Sequence, residues 1–227
     1  MKNIIKRIPI INNLSRVVYK SLRNMFIPFI GSERYWIKRY ALGGNSGSGS
    51  YNNLADFKSE IINEFIKYNS ICSIIDFGCG DGNQLKTLYC PMYLGFDISS
   101  EAISLCRKVF AGDCNKQFKL MNDYCGEKAE LALSLDVIYH LIEDYTYNVY
   151  MNQLFNSSTR FVIIYSSNTN KQRIFQESHV KHRYFSEWVQ KNKPEWELIK
   201  HIPNRFPLTD NSSTGSLADF YIYSLSK

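Results

Sequence analysis

Apolar positions along the chain come in two kinds of block, short continuous runs and longer segments with a helical step. Helices are read at Leu54 to Tyr68, near Asn83 to Leu88, and at Ser100 to Phe110. Strand-like runs are read at Ile71 to Phe77, Tyr93 to Ile98, Phe118 to Met121, Leu131 to Leu135, Phe161 to Tyr165, Glu197 to Ile202 and Phe220 to Leu225. This alternation predicts an α/β domain with a largely parallel sheet. Ahead of it, Ile4, Ile8, Ile11, Leu14, Val18, Leu22 and Met25 recur at three- and four-residue steps, with Pro9 placed to start a helix. Between the two regions, Gly43-Gly44-Asn45-Ser46-Gly47-Ser48-Gly49-Ser50 has the composition of a flexible linker.

With 227 residues, 44% of them hydrophobic and 15% aromatic, the chain can bury the core of one large domain, which excludes a disordered or fibrous protein. Charge changes the picture more than composition does. Residues 1–40 carry nine basic side chains against Glu33, whereas the other 187 residues hold 18 basic and 20 acidic ones. The net +6 therefore belongs to the N-terminal extension, and a body so balanced disfavours a phosphate-neutralising nucleic-acid face. A basic amphipathic helix in residues 1–30 can pack on the protein's own body, lie on an anionic membrane surface or dock on a partner. The N-terminus shows no signal-peptide pattern, and no run approaches the roughly 18 apolar residues of a membrane span, so a cytoplasmic location is expected, with peripheral attachment to the inner membrane face as the further option. Most of the six scattered cysteines, which form no C-x-x-C pair, read as buried thiols.

The chemistry concentrates in Asp76-Phe77-Gly78-Cys79-Gly80-Asp81-Gly82, where a buried strand enters a glycine turn. Glycines there allow positive φ and let a ligand approach the backbone. The spacing is G-x-G-x-G, not the G-x-G-x-x-G of dinucleotide enzymes, which disfavours a nicotinamide dehydrogenase. A second acid, Asp97, ends the next strand, where a carboxylate can accept from both hydroxyls of an adenosine ribose.

With these two elements and Leu133-Ser134-Leu135-Asp136-Val137-Ile138-Tyr139-His140-Leu141, the sequence from about Asp56 onward resembles the class I S-adenosylmethionine-dependent methyltransferases. The resemblance implies a Rossmann-like three-layer sandwich with a mostly parallel seven-stranded sheet over residues 51–227, preceded by a helical extension and Gly/Ser-rich lid over 1–50. It implies S-adenosyl-L-methionine as cofactor, held by Asp76, Gly78 and Gly80 at its methionine part, by Asp97 and Ile98 at the ribose, by Asn122 and Asp123 at adenine, and bordered at its sulfonium by the end of the fourth strand, Leu135 to His140. Tyr35-Trp36 through Arg39-Tyr40, the Gly/Ser stretch, His182-Arg183-Tyr184-Phe185-Ser186-Glu187-Trp188 and Asn204-Arg205-Phe206-Pro207 resemble, more narrowly, bacterial methyltransferases of capsule and other surface-glycan biosynthesis. In that reading the Gly/Ser stretch is a lid over the cofactor.

Methyl transfer is an in-line displacement, so positioning comes first, and a neutral sugar hydroxyl benefits from a general base. His140, just past the fourth strand, is the first candidate, and His182 the second. His179 and His182, three residues apart, also invite a metal reading, but no third ligand is evident and no metal is expected. His201 reads as structural. If the acceptor is instead a phosphate or phosphoramidate oxygen, Arg183 and Arg205 would orient it, helped by Lys181 or Arg173. Tyr139, Tyr165 and Trp188 could wall the acceptor pocket. Two competing functions stay open: an RNA methyltransferase with residues 1–40 as a basic arm, and a non-catalytic scaffold that retains the cofactor fold.

Overall fold

The computed structural model describes residues 29–174, 176–209 and 215–226. The stripe from Ile4 to Met25 lies outside them. Seven strands form one sheet in the order β3-β2-β1-β4-β5-β7-β6. They are β1 (Ser73–Phe77), β2 (Met92–Asp97), β3 (Lys116–Leu120), β4 (Ala129–Leu135), β5 (Ser158–Ser166), β6 (Trp196–Ile202) and β7 (Asp219–Leu225). The first five pair in parallel, and β7 runs antiparallel to both β5 and β6. Among the described residues, five α-helices accompany them: α1 (Ser32–Ala41), α2 (Asn52–Tyr68), α3 (Ser100–Val109), α4 (Asp144–Asn156) and α5 (Phe185–Asn192).

Two apolar layers follow from the period-two alternation of the central strands. Ile74, Leu131, Leu133, Ile163, Phe220 and Ile222 face one side and pack with Phe57, Ile62 and Ile66 of α2 and with Ile103 and Cys106 of α3. Ile75, Ala132, Val162, Ile164, Tyr221 and Tyr223 face the other and pack with Tyr147, Tyr150, Met151, Leu154 and Phe155 of α4 and with Phe185 and Val189 of α5. Truncating a fully buried member such as Leu154 to Ala costs about 2–5 kcal/mol.

One expected helix is absent. The residues near Asn83 to Leu88 form only a 3₁₀ turn, Gln84–Thr87, because eight residues between Gly82 and Pro91 must bring the chain back to the start of β2. The chain leaves β1 towards β2 on one side and reaches β4 on the other, so the strand order reverses between β1 and β4. In open α/β sheets ligands bind outside the carboxyl ends of the strands at such a reversal.

Candidate functional site

At that reversal the backbone, not a side chain, makes the first contacts. Gly78 leaves β1 at φ 90, and the N–H groups of Gly78 and Cys79 both donate to the Phe96 carbonyl, at 2.7 and 2.9 Å. Gly80, at φ 59, donates its N–H to Asp97 Oδ2 at 3.0 Å, while Ser99 N–H donates to Oδ1 at 2.9 Å. Each carboxylate oxygen of Asp97 thus holds a backbone donor, with Ile98 N–H also directed at the group, and the carboxylate keeps further acceptor capacity. Burial pushes this carboxyl up to about 6 despite those donors. Ser99 also caps α3 by accepting from Ala102 N–H, so the acid is fixed between a strand end and a helix start.

The Gly/Ser stretch is not a free linker. Ser48–Ser50 form a 3₁₀ turn, and Asp81 of the glycine turn anchors the segment by accepting from Ser46 N–H (3.1 Å), Ser46 Oγ (2.8 Å) and Tyr51 Oη (2.8 Å). Burial raises the pKa of Asp81, but these donors and Asn83 N–H outweigh it and hold the group below its ordinary value. With its single proton given to Asp81, Ser46 Oγ accepts from Asp81 N–H at 3.1 Å and, by elimination, from Tyr40 Oη at 2.9 Å. Here glycine is required. A Cβ on Gly80 would lie 2.2 Å from Ser46 Oγ, and one on Gly78 would lie 2.4 Å from Val137 Cγ2.

Together these elements enclose a cavity of about 400 Å³ lined by Gly78, Gly80, Asp97, Ile98, Asn122 and Leu135 from the strand ends, by Trp36 and Tyr40 from α1, by Ser46 and Ser50 from the Gly/Ser stretch, and by His140. That is the size of a small-molecule cofactor site. Of the residues expected to hold cofactor, Asp76 and Asp123 do not line it. Asp76 is buried beneath the turn, where it accepts from Tyr93 Oη at 2.6 Å, its Oδ1 has no partner, and burial raises its carboxyl to about 6. Asp123 follows Asn122 on an exposed turn, Met121–Asp123, and points its neighbour, not itself, at the cavity.

His140 lies on a 3₁₀ turn, Ile138–His140, just after β4. Its Nδ1 is 2.9 Å from the His179 carbonyl oxygen. A carbonyl only accepts, so Nδ1 carries the hydrogen and Nε2 the lone pair. Burial pushes the imidazole pKa down to about 4, which keeps the ring neutral at physiological pH. Trp36 packs edge-on against it at 4.8 Å and His179 stacks at 5.2 Å.

Sequence reasoning gave no role to Lys58 or Asp81, took Trp36 and Tyr40 only as marks of the resemblance, and placed Asp136 only within the stretch that would border the sulfonium. Asp136 adopts φ 62, a left-handed conformation that Asp tolerates better than most residues. Its Oδ2 pairs with the fully buried Lys58 Nζ at 2.6 Å, and its Oδ1 accepts from Tyr139 Oη at 2.6 Å. Lys58 also lies 5.2 Å above the Tyr165 ring. Asp136 borders a second cavity, of about 290 Å³, on the other side of the Gly/Ser segment, which Tyr139 and His182 also line.

The remaining predicted positions are placed elsewhere. Tyr165 is wholly buried in the core, its Oη accepting from Asn204 Nδ2, and it lines neither cavity. Arg183 is committed to the Ile142 and Leu141 carbonyls and to Asp144, which its charge and that of Lys181 hold down near 2. Arg205 makes an exposed bidentate pair with Glu60, both bonds 2.7 Å. Neither arginine lines a cavity, so the expected cationic clamp for an anionic acceptor is not assembled. His179 and His182 do not converge: His179 stacks on Tyr35 at 4.2 Å, while His182 Nδ1 is 2.6 Å from Ser167 Oγ. His201 pairs with Asp219 on an exposed strand.

No family model matches the chain, and no curated protein matches it in sequence. Its fold is similar to those of solved methyltransferases at low identity. The N-methyltransferase NodS from Bradyrhizobium japonicum WM9, in complex with S-adenosylhomocysteine, aligns with a TM-score of 0.68 and 9% identity over 87% of this chain and 100% of that one. Magnesium protoporphyrin IX methyltransferase from Synechocystis PCC 6803, also with S-adenosylhomocysteine bound, aligns at 0.58 and 13% over 90% and 100%. The methyltransferase domain of bacterial CtHen1 aligns at 0.57 and 19% over 76% and 100%. The chain therefore has the Rossmann-like methyltransferase fold.

Proposed function

We propose that this chain is an S-adenosylmethionine-dependent O-methyltransferase whose acceptor is a sugar hydroxyl of a surface-glycan precursor. The observation that carries the reading is the cavity at the β1/β4 reversal. There the Asp97 carboxylate, with lone pairs to spare, and the neutral His140 imidazole line one space of about 400 Å³. The residues suit the cofactor: Asp97 would accept from the ribose diol, Ile98 and Asn122 would border the adenine side, and Gly78, Gly80 and the Ser46 segment would enclose the methionine side. S-adenosylmethionine would supply a methyl group on a sulfonium that departs as a neutral thioether.

The chain's own part is orientation and proton removal. His140 Nε2 accepts the acceptor's hydroxyl proton as the new C–O bond forms, and the Nδ1–H bond to the His179 carbonyl holds the ring in that tautomer. An anionic acceptor is less well supported, since Arg183 and Arg205 are engaged elsewhere. Titration calorimetry with S-adenosylhomocysteine, run beside NADH, tests the cofactor assignment: micromolar binding of the former alone is expected, and no binding overturns the proposal. Methyl transfer to sugar nucleotides and glycan precursors then tests the acceptor class.

A further inference from the structure

Among the described residues lining the two cavities, Asp136 alone borders both. It is held there by three features that each cost free energy to build. Its backbone takes the left-handed conformation, its ion-pair partner Lys58 has been withdrawn wholly from solvent, and a glycine stands over it where a Cβ would come within 2.7 Å of Oδ2. The glycine is Gly49, which lines the second cavity together with Ser48, while Ser46 and Ser50 of the same segment line the first. The wall between the cavities is therefore one carboxylate and one short segment.

The second cavity is small, and its wall mixes apolar residues, among them Leu54, Val180 and Leu217, with polar ones. Ser167, Arg173, Gln176, Tyr139 and His182 contribute donors and acceptors in mixed order, with about 290 Å³ between them. Charge is nearly balanced: Lys58 offsets Asp136 from below, and Arg173 and Glu177 line the same space. A wall that sets hydrogen-bonding groups among apolar side chains, with Arg173 and Glu177 both present, matches a ring with hydroxyls at its edge and C–H groups on its faces. The volume, at the lower limit for ligand pockets, admits one small ring and not a longer chain.

We propose that the second cavity is the acceptor subsite, that it takes a single neutral, polyhydroxylated ring of monosaccharide size, and that Asp136 receives a hydrogen bond from the hydroxyl delivered into the first cavity. This rests on the methyltransferase reading and specifies where and what its acceptor is. Asp136 contributes binding and orientation, and the proton goes to His140 Nε2.

The test uses the full chain saturated with S-adenosylhomocysteine and three neutral probes, the methyl glycosides of glucose, galactose and mannose, with the corresponding hexose 1-phosphates as anionic controls. Saturation-transfer NMR should show at least one methyl glycoside bound, and with no loss relative to its phosphate. In Lys58→Met/Asp136→Asn, which removes both charges of the buried pair together, that binding should weaken about tenfold or more, because a hydrogen bond to a charged acceptor is lost, while the protein still binds S-adenosylhomocysteine. Gln176→Ala, on the far side of the second cavity, should weaken the glycoside alone. Binding of the phosphates only, or of none of the six probes by protein that does bind S-adenosylhomocysteine, overturns this inference and leaves the cofactor assignment standing. Failure to bind S-adenosylhomocysteine overturns the function itself.

Discussion

Asp97→Asn separates a carboxylate that holds ribose from one that merely ends a strand. The substitution keeps the shape and removes the charge. In the proposed complex the acid accepts from the ribose diol while Gly80 and Ser99 N–H groups occupy one site on each oxygen at 3.0 and 2.9 Å. A hydrogen bond to a charged acceptor contributes about 1.5–3 kcal/mol, so affinity for S-adenosylhomocysteine should fall by about 10- to 150-fold. Stability should move the other way. Burial raises this carboxyl to about 6, so its contribution to stability is fully present below the unfolded pKa and is lost as pH rises through about 6. At pH 7.5 the ionised form costs the unliganded protein about 3 kcal/mol. The Asn side chain escapes that cost but turns an amide donor towards one of the two backbone N–H groups, a loss of about 1–3 kcal/mol. The variant should therefore unfold in urea within about 1–2 kcal/mol of wild type while binding far worse. Wild-type affinity, measured calorimetrically, should be flat above about pH 7 and fall tenfold per pH unit below about 6, as a proton competes for the carboxylate. Asp76 titrates in the same range but lines neither cavity, and a flat profile for the Asn variant assigns the effect to Asp97. Unchanged affinity at pH 7.5, or a wild-type profile without the acid limb, would refute the assignment of β2 as the ribose strand.

Four other perturbations have defined outcomes. His140→Ala should lower turnover by about 10²–10⁴ with S-adenosylhomocysteine affinity within threefold of wild type, read by tritium transfer and calorimetry; retained turnover would place the base elsewhere. Lys58→Met leaves Asp136 with a buried, unpaired charge and should cost about 3–5 kcal/mol in urea unfolding, most of it recovered in Lys58→Met/Asp136→Asn; additive effects in that cycle would show that the pair does not interact. Gly80→Ala, at φ 59 and 2.2 Å from Ser46 Oγ, should destabilise the protein by about 1–3 kcal/mol and weaken cofactor binding, and a neutral result would mean the lid gives way freely. Removing residues 1–28 should leave S-adenosylhomocysteine affinity unchanged, because the groups proposed to hold the cofactor, from Ser46 to Asn122, all belong to the described residues; a loss of affinity would bring that segment into the site.

Most of the sheet was legible because its strands carry their own signal. Runs such as Ile71 to Phe77 and Leu131 to Leu135 are buried on both faces and therefore read as continuous apolar stretches, and their true bounds differ by a residue or two. Helix α4 was not read, although Tyr147, Tyr150, Met151, Leu154 and Phe155 bury one face at helical spacing. Two of those five are tyrosines, which pattern reading counts as polar or apolar with equal ease, and Asn148, Val149 and Asn152 between them lower helix propensity. Helix α2 shows the converse case. Lys58 stands in the series Leu54, Lys58, Ile62, Ile66, where a step of four demands an apolar residue, and that single interruption was the available sign of a buried ion pair.

The candidate site divides along the same line. That Gly78, Gly80, Asp97 and His140 would come together at one cavity was legible because each is fixed by its distance from a strand end, and strand ends were legible. Arg183 and Arg205 were misplaced because nothing in a linear pattern tells a guanidinium facing a ligand from one satisfied by carbonyls or a surface carboxylate; both types of arginine are spaced alike. The Gly/Ser stretch shows most clearly why composition runs out. Gly and Ser describe a chain with little intrinsic preference, which is true of residues 43–50 in isolation. Asp81, some 30 residues away in sequence, supplies the preference by binding Ser46 twice and Tyr51 once, and so turns a segment that composition calls loose into the partition between two cavities. Glycine is needed there not for freedom of motion but for lack of bulk, since a Cβ on Gly49 would lie 2.7 Å from Asp136 Oδ2. A composition rule has no access to that reason, because it exists only once β4 has placed Asp136 beneath the segment.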